Sequence, residues 1–255
     1  MFRKEKRSVK KSVLYKMAQY QSVFKRYELK YRLRGSQYAD FLEAVSALMT
    51  SDCYGRTTIC NIYFDTPDFR LIRASLEKPI YKEKLRLRTY GVPNEASPSF
   101  AELKKKYKGI VYKRRISLPY REAYGWLVNG GPPPEDQVAE EIQKFIEFYG
   151  RLIPAGALFY DRTSYIGNED PSLRLTIDEN VRWRAENSSL TEGDHGKSLF
   201  GNSEYIMEIK IPDSMPLWLS HILDKLKIYP ESCSKYGTAY ISMLKSNTKG
   251  VNLNV

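Results

Sequence analysis

The chain has 255 residues, of which 42% are hydrophobic and 13% aromatic, which excludes a disordered chain. At roughly 150 residues per domain, this length allows one large domain or two small ones. Lysine and arginine number 41 against 30 aspartates and glutamates, so the net charge is +11. A charge of this size points to an anionic partner without identifying it.

Several function classes find no support in the residue pattern. The three cysteines lack CxxC spacing, which argues against a disulfide framework and a cysteine zinc site. The two histidines, His195 and His221, lie far apart and leave little room for histidine-based catalysis. No apolar run reaches the about 18 residues of a membrane span, and no apolar segment follows the basic start. We therefore predict a cytoplasmic protein, with the inner face of a membrane as an alternative location.

The predicted elements are mainly strands. Residues 1–22 are predicted to form a basic N-terminal arm, residues 23–247 a single domain and residues 248–255 a C-terminal tail. Runs rich in Tyr, Ile, Leu, Val and Thr between turn-forming residues predict strands. The predicted strands cover residues 23–33, 57–64, 82–89, 99–106, 110–118, 157–166, 173–183 and 205–211.

Helices interrupt the predicted strands. Apolar residues at helical spacing predict helices over residues 36–49 and 135–149, a third after Pro216 and a fourth from Lys235. Residues 186–202 are polar and glycine-rich, and we expect a long mobile loop there. The sequence predicts an α+β fold class.

Charges alternate with apolar residues inside the predicted strands. Residues two apart in a strand share a face, so Arg86 and Arg88 point one way while Leu85 and Leu87 point the other. The same alternation recurs in the pairs Glu28/Lys30, Glu102/Lys104, Lys113/Arg115, Tyr160/Arg162, Arg174/Asp178 and Glu208/Lys210. If helices cover the leucine face, the charged face lies elsewhere, and a sheet closed into a barrel puts it inside.

A cationic barrel interior needs an anionic ligand, because burying an unpaired charge is very costly. Arginine binds phosphate oxygens in a bidentate fork, and lysine supplies a point charge. Carboxylates such as Glu102 and Glu208 could hold a divalent cation that bridges phosphates, whereas Asp178 suits either the metal or an arginine. The predicted architecture is an antiparallel β-barrel tunnel of about eight strands with flanking helices.

Short motifs along these strands occur in the order of a known family. They are Arg26-Tyr27-Glu28-Leu29-Lys30-Tyr31, Ile62-Tyr63-Phe64-Asp65, Arg86-Leu87-Arg88-Thr89-Tyr90-Gly91, Glu102-Leu103-Lys104, Lys113-Arg114-Arg115, Tyr160-Asp161-Arg162, Arg174-Leu175-Thr176-Ile177-Asp178, Glu208-Ile209-Lys210 and Ser234-Lys235-Tyr236. Over residues 24–245 the set resembles the polyphosphate polymerase domain of the vacuolar transporter chaperone (VTC) complex. That domain belongs to the CYTH-like triphosphate tunnel metalloenzymes.

The resemblance implies a transferase that moves the γ-phosphate of ATP onto a growing inorganic polyphosphate chain, with Mn²⁺ or Mg²⁺ as cofactor. It implies Glu208 as the metal ligand. The implied catalytic residues are Arg86, Arg88, Arg162, Arg174 and Glu208. The implied substrate-binding residues are Lys30, Lys104, Lys113, Tyr160, Ser234 and Lys235. ATP and polyphosphate are the expected partners, a membrane protein would receive the product, and the oligomeric state stays open.

Two positions depart from the family pattern. The hydrolytic relatives begin with a Glu-x-Glu-x-Lys strand, and Arg26 stands at the first of these positions, which favours the polymerase branch. Ser232 stands where the fungal polymerase has a further lysine, which removes one phosphate contact.

Three alternative functions stay open at this stage. A triphosphatase would hand the γ-phosphate of tripolyphosphate or a nucleoside triphosphate to water. A non-catalytic module would only bind polyphosphate or nucleotides. Nucleic-acid binding is the least specific interpretation of the positive charge, and we do not expect a nucleic-acid partner.

Overall fold

The computed structural model describes residues 27–108, 110–186, 189–201, 203–212 and 214–249. The predicted N-terminal arm, Arg26 and most of the predicted tail lie outside these residues. The strands are β1 (Tyr27–Arg34), β2 (Met49–Ser51), β3 (Thr57–Asp65), β4 (Tyr81–Tyr90), β5 (Pro98–Tyr107), β6 (Ile110–Pro119), β7 (Ile153–Gly167), β8 (Arg174–Arg184), β9 (Lys197–Ser198) and β10 (Glu204–Ile211). The helices are α1 (Gln37–Val45), α2 (Arg70–Leu76), α3 (Tyr120–Leu127), α4 (Gln137–Tyr149), α5 (Leu217–Lys225) and α6 (Lys235–Lys249).

Eight strands form one sheet in the order β1-β10-β8-β7-β3-β4-β5-β6, with β2 and β9 attached to β7 and β8. Every pairing is antiparallel. The sheet is strongly curled, and the curl brings Glu28 of β1 to 3.1 Å from the Lys104 Nζ atom of β5, near the far end of the strand order. The structure thus confirms an antiparallel α+β fold of about eight strands with flanking helices, and the curled sheet forms a half-barrel.

The convex face of the sheet carries the leucines, as the alternation predicted, and the helices cover it. Leu87 and Leu103 pack with Trp126 of α3 and Ile142 of α4. Under α1 and α5, a second cluster joins Leu175, Met207 and Ile209 to Phe41 and Leu219. Full burial of one such side chain contributes about 1.5–3 kcal/mol. These two clusters hold the sheet in its curled form and direct the alternate residues to the concave face.

Helix α6 packs on part of the concave face. Tyr236 stacks on Tyr63 of β3, with ring centroids 4.6 Å apart, and its hydroxyl donates to Asp65 at 2.9 Å. Ala239 and Tyr240, on the same helix, join Leu158 and Ile59 in a third apolar cluster. One part of the concave face is therefore filled by α6, and the charged side chains occupy the remainder.

Some local features differ from the sequence-based expectation. The predicted mobile loop at residues 186–202 contains a short 3-10 helix, Leu190–Glu192, and strand β9. Leu190 is fully buried and its backbone N–H donates to the Tyr120 hydroxyl at 2.9 Å, so the expectation of a free loop is wrong here. Asp65 accepts hydrogen bonds from the backbone N–H groups of Leu71 and Ile72 and so holds the start of α2.

Within the described part of the chain, no helix has the length and apolar character required to span a membrane.

Candidate active site

One buried carboxylate collects cations from three neighbouring strands. Arg86, Glu102 and Arg115 lie directly opposite one another on β4, β5 and β6. Glu102 is 1% exposed and lies 2.7 Å from Arg86 Nη2 and 2.5 Å from Lys113 Nζ. Arg88 and Arg115 each approach the same carboxylate to 3.8 Å. Four cations against one carboxylate leave an excess of three positive charges beside this residue.

A second buried carboxylate, Asp178 of β8, holds two cations. Arg162 of β7 donates from Nε at 2.6 Å and from Nη2 at 2.7 Å, in a bidentate fork. Lys235, the first residue of α6, donates to Asp178 Oδ2 at 2.5 Å. Burial raises the pKa of Asp178, but Arg162 and Lys235 outweigh that effect and lower the pKa to about 2. Asp178 is therefore charged at neutral pH and positions both cations.

Arg88 and Tyr160 link the surroundings of Glu102 to those of Asp178. Arg88 donates from Nη2 to the Tyr160 hydroxyl at 3.1 Å and from Nε to Asn61 at 3.0 Å. The guanidinium of Arg162 lies 5.1 Å from the ring centre of the same tyrosine, within cation–π range. We call the whole set the anion site. Its residues are Arg86, Arg88, Glu102, Lys113, Tyr160, Arg162, Asp178 and Lys235.

Glu208 of β10 lies apart from these carboxylates. Its carboxylate is 3.1 Å from Lys210 Nζ and 4.0 Å from Lys30 Nζ, and 14% of the side chain is exposed. Burial raises the pKa of Glu208, but Lys210, Lys30, Lys104 and Arg162 together hold it well below its ordinary value. Glu208 is thus an ionised carboxylate that is more accessible than Glu102.

Two lysines approach the loop that precedes α6. Lys84 donates to Ser234 Oγ at 3.1 Å, and Lys30 donates to the Cys233 carbonyl at 3.2 Å. Burial lowers the pKa of Lys84, the nearby Tyr63 phenol opposes this, and Lys30 adds to the fall, so that the pKa is about 8. These lysines border the anion site on the side of α6.

The family model of the VTC domain matches residues 25–244. The chain belongs to the VTC domain family. Two solved structures share the fold at low sequence identity. One is a candidate adenylate cyclase from Bacillus halodurans, 15% identical, with a TM-score of 0.53 over 84% of this chain and 95% of that one. The other is a candidate adenylyl cyclase from Hippeastrum with a dominant triphosphatase activity, 18% identical, with a TM-score of 0.52 over 84% and 95% of the two chains. No curated protein matches the chain.

The concave face of this VTC domain brings together most of the residues that the sequence singled out. They are Lys30, Arg86, Arg88, Lys104, Lys113, Tyr160, Arg162, Glu208, Ser234 and Lys235. Arg174 differs from these residues in its surroundings. It lies opposite Lys210 at the end of β8, its side chain is exposed, and it makes no ion pair among the described residues.

Lys84 was missing from the predicted site set of the VTC domain, whereas Glu102 was predicted as a partner of a divalent cation and Asp178 as a partner of the metal or of an arginine. Glu102 and Asp178 hold the cations in place, and Lys84 borders the site. A signal for Lys84 was present, because it precedes Arg86 by two positions in the same strand and so shares its face. For Glu102 and Asp178, the alternation of charged and apolar residues predicted the charged face of the sheet, but not the cations that each carboxylate binds.

The carboxylates of the VTC domain fit a metal ion that is shared with phosphate. The described residues contain no group of three or more His, Cys, Asp or Glu that could hold a metal alone. Glu102 is engaged by four cations, which leaves Glu208 as the more available ligand. Mg²⁺ is typically held by one or two carboxylates together with substrate phosphates. A single ionised glutamate beside a phosphate-binding surface is compatible with that arrangement.

Proposed function

We propose that this VTC domain is a polyphosphate polymerase that transfers the γ-phosphate of ATP to a growing inorganic polyphosphate chain. The observation that carries the proposal is the convergence of arginines and lysines from β4, β6, β7 and α6 on two buried carboxylates of one concave face. Such a surface matches a polyanion. The membership of the VTC family adds support to polyphosphate as that polyanion.

The proposed mechanism depends on charge neutralisation and in-line positioning, which dominate phosphoryl transfer. Arg86, Arg88 and Arg162 would bind oxygens of the transferred phosphoryl group. Their guanidinium groups are already oriented by Glu102, Asn61 and Asp178, so little reorganisation would accompany the reaction.

A terminal oxygen of the polyphosphate chain would attack the γ-phosphorus, and the bond to the bridging oxygen would break with its electrons leaving on ADP. The attacking oxygen is already ionised at neutral pH, so the reaction needs no general base. This agrees with the absence of a histidine from the anion site. His195 and His221 are both exposed.

Glu208 would hold the divalent ion, Mn²⁺ or Mg²⁺, together with phosphate oxygens. When bound, that ion would neutralise charge on the phosphates and orient them. Lys30 and Lys210, which lie beside Glu208, would contact the same phosphates. Transfer of the product to a membrane protein, and a location at the inner face of a membrane, stay predictions.

A triphosphatase is the second candidate function. The Hippeastrum protein, with a dominant triphosphatase activity, has the same fold, and the anion site would bind a triphosphate equally well if water were the acceptor. A non-catalytic module would bind the same ligands without turnover.

Product analysis separates these functions. The purified protein is incubated with ATP and Mn²⁺, and the products are separated on a gel stained for polyphosphate. Long chains with released ADP support the polymerase, whereas orthophosphate as the sole phosphate product contradicts it and supports the triphosphatase. Tight binding of ATP with no product at all would support the binding module.

The variant Glu208→Gln tests the metal ligand. It removes one negative charge at nearly constant volume, and we expect metal-dependent turnover to fall at least about a hundredfold, as for single electrostatic groups elsewhere. The protein should stay folded, with a somewhat lower thermal unfolding temperature because Lys210 and Lys30 lose their counter-charge. The matched control is Glu141→Gln, which alters the ion pair of Glu141 with Arg114 on the side of α4 and should leave activity unchanged. Normal turnover of Glu208→Gln would contradict the assignment.

A further inference from the structure

The concave side of β4 and β5 continues beyond the anion site as two pairs of lysines. Lys84 lies directly opposite Lys104, and Lys82 lies directly opposite Lys106. We call these four residues the lysine ladder. Like charges directly opposite each other in an antiparallel pair are destabilising, so this arrangement costs the folded protein stability when no anion is bound.

The convex side of the same two strands is arranged differently. Glu83 lies opposite Lys105 there, and the lysine Nζ atom is 3.6 Å from the glutamate carboxylate. Opposite charges therefore meet on the convex face and like charges on the concave face, in adjacent rows of one strand pair. A general excess of lysine in the chain does not explain that difference between faces.

The outer pair of the ladder is the one without an internal counter-charge. Lys104 reaches Glu28 at 3.1 Å, and Lys84 donates to Ser234. Lys82 and Lys106 make no ion pair within the part of the chain that the structure describes. Burial lowers the pKa of Lys82, and the charge of Lys106 adds to this effect. The outer pair is thus cationic, like-charged and without a carboxylate partner among the described side chains.

We propose that Lys82 and Lys106 bind phosphates of a polyphosphate chain that lie beyond the reacting group. This inference rests on the proposed function, because it takes its ligand to be the chain that the anion site elongates. Lys82 lies four positions before Arg86 in β4, which is about 13 Å along the strand. The outer lysines therefore extend the binding surface away from the anion site, and they favour long chains over short ones.

The ladder suits an inorganic chain better than a nucleic acid. Proteins that bind single-stranded nucleic acids combine basic residues with aromatic side chains on which bases stack. The aromatic residues Tyr81 and Tyr107, at the same end of β4 and β5, alternate with the ladder lysines and share the face of Glu83 and Lys105. On the concave face, the four ladder positions of β4 and β5 are all lysines.

The test compares chain lengths at equilibrium. We expect the double variant Lys82→Gln/Lys106→Gln to bind long-chain polyphosphate about tenfold more weakly than the unchanged protein, and inorganic tripolyphosphate within about twofold of it. By analogy with phosphate contacts to nucleic acids, the slope of log affinity against log salt for the long chain should fall by about one per lysine. The control, Lys144→Gln/Lys225→Gln, removes two exposed helix lysines and should change neither affinity.

Three results would overturn the inference. They are an equal loss of affinity for both phosphate lengths, no loss for either, and binding of single-stranded DNA by the ladder as tight as that of polyphosphate. Thermal unfolding of the double variant confirms that it is folded. The binding assay needs no turnover, so its outcome is separate from that of the proposed function. Length-dependent binding without synthesis would remove the polymerase and keep the lysine ladder as a polyphosphate site.

Discussion

The anion site and the lysine ladder lie side by side on one concave face, but they balance their charges differently. In the anion site, the buried carboxylates Glu102 and Asp178 hold the cations directly, so the guanidinium groups have fixed orientations before any ligand arrives. In the ladder, Lys82 lies directly opposite Lys106, and neither lysine has a carboxylate partner among the described residues.

This difference separates two uses of positive charge. Paired cations at the anion site are suited to orienting a reacting phosphate, because their positions are already determined. The outer ladder lysines, Lys82 and Lys106, are suited to holding an anion of variable length, because each is a flexible point charge without a carboxylate partner among the described residues.

The largest effect is expected from Glu102→Gln. Removing this buried carboxylate leaves four cations without their shared counter-charge, and breaking a buried ion pair costs about 3–5 kcal/mol. Urea denaturation measures the loss, and tripolyphosphate should recover part of it by binding the folded state.

The control for this prediction is Glu95→Gln. It breaks an exposed ion pair with Arg121 and should cost less than about 1 kcal/mol. A Glu102→Gln protein that is as stable as this control would show that the cations of the anion site do not depend on the carboxylate.

The second prediction compares two arginines that were both predicted to be catalytic. Arg162 is held by Asp178, whereas Arg174 is exposed at the end of β8. We expect Arg162→Ala to lower kcat/KM on the order of a hundredfold, as does the loss of a preorganised donor elsewhere, and Arg174→Ala to lower it about tenfold or less. Equal losses in steady-state kinetics would argue that pre-orientation by Asp178 has no role.

A pH titration of Lys84 should show effects of opposite sign on binding and on folding. Its pKa is lowered from 10.5 to about 8, first by burial, against the opposing effect of Tyr63, and further by Lys30, Lys82 and Lys104. Above about pH 8 the folded protein loses this positive charge, so tripolyphosphate affinity should fall by up to about tenfold per pH unit.

Folding responds in the other direction. Between pH 8 and pH 10.5 the unfolded chain keeps a proton on Lys84 that the folded chain has released. Raising the pH in this window therefore favours the folded state. Thermal unfolding of the unchanged protein and of Lys84→Gln measures the effect, and an identical pH dependence in both proteins would rule out Lys84 as its source.

The smallest effect concerns the stability of the lysine ladder. The single variant Lys82→Gln removes like-charge repulsion with Lys106 and should raise the free energy of unfolding by about 0.2–1 kcal/mol when no polyphosphate is present. Long-chain polyphosphate should reduce or reverse this advantage. Denaturation at low ionic strength is the suitable measurement, and a loss of stability in the absence of anions would contradict the interpretation of the ladder.

The sequence correctly predicted which residues lie on the concave face, because successive side chains of a strand point to opposite faces of the sheet. The leucines Leu85, Leu87 and Leu103 are buried on the convex face as that rule predicts. The short helices α2 and α3 were not predicted, because they contain seven and eight residues and too few turns for a clear periodicity. Leu190 was assigned to a mobile loop because an isolated apolar residue gives no periodic signal.

By itself, the sequence determined which side of each strand is charged, the helical faces that cover the other side and the membership of a family. Only the tertiary structure decided which charges meet. Lys235 binds Asp178, which lies 57 positions earlier in the chain, and Glu28 approaches Lys104 because the sheet curls. Alternation is a local property of the backbone, whereas the pairing of distant charges depends on strand register and sheet curvature, which the packing of the whole chain sets.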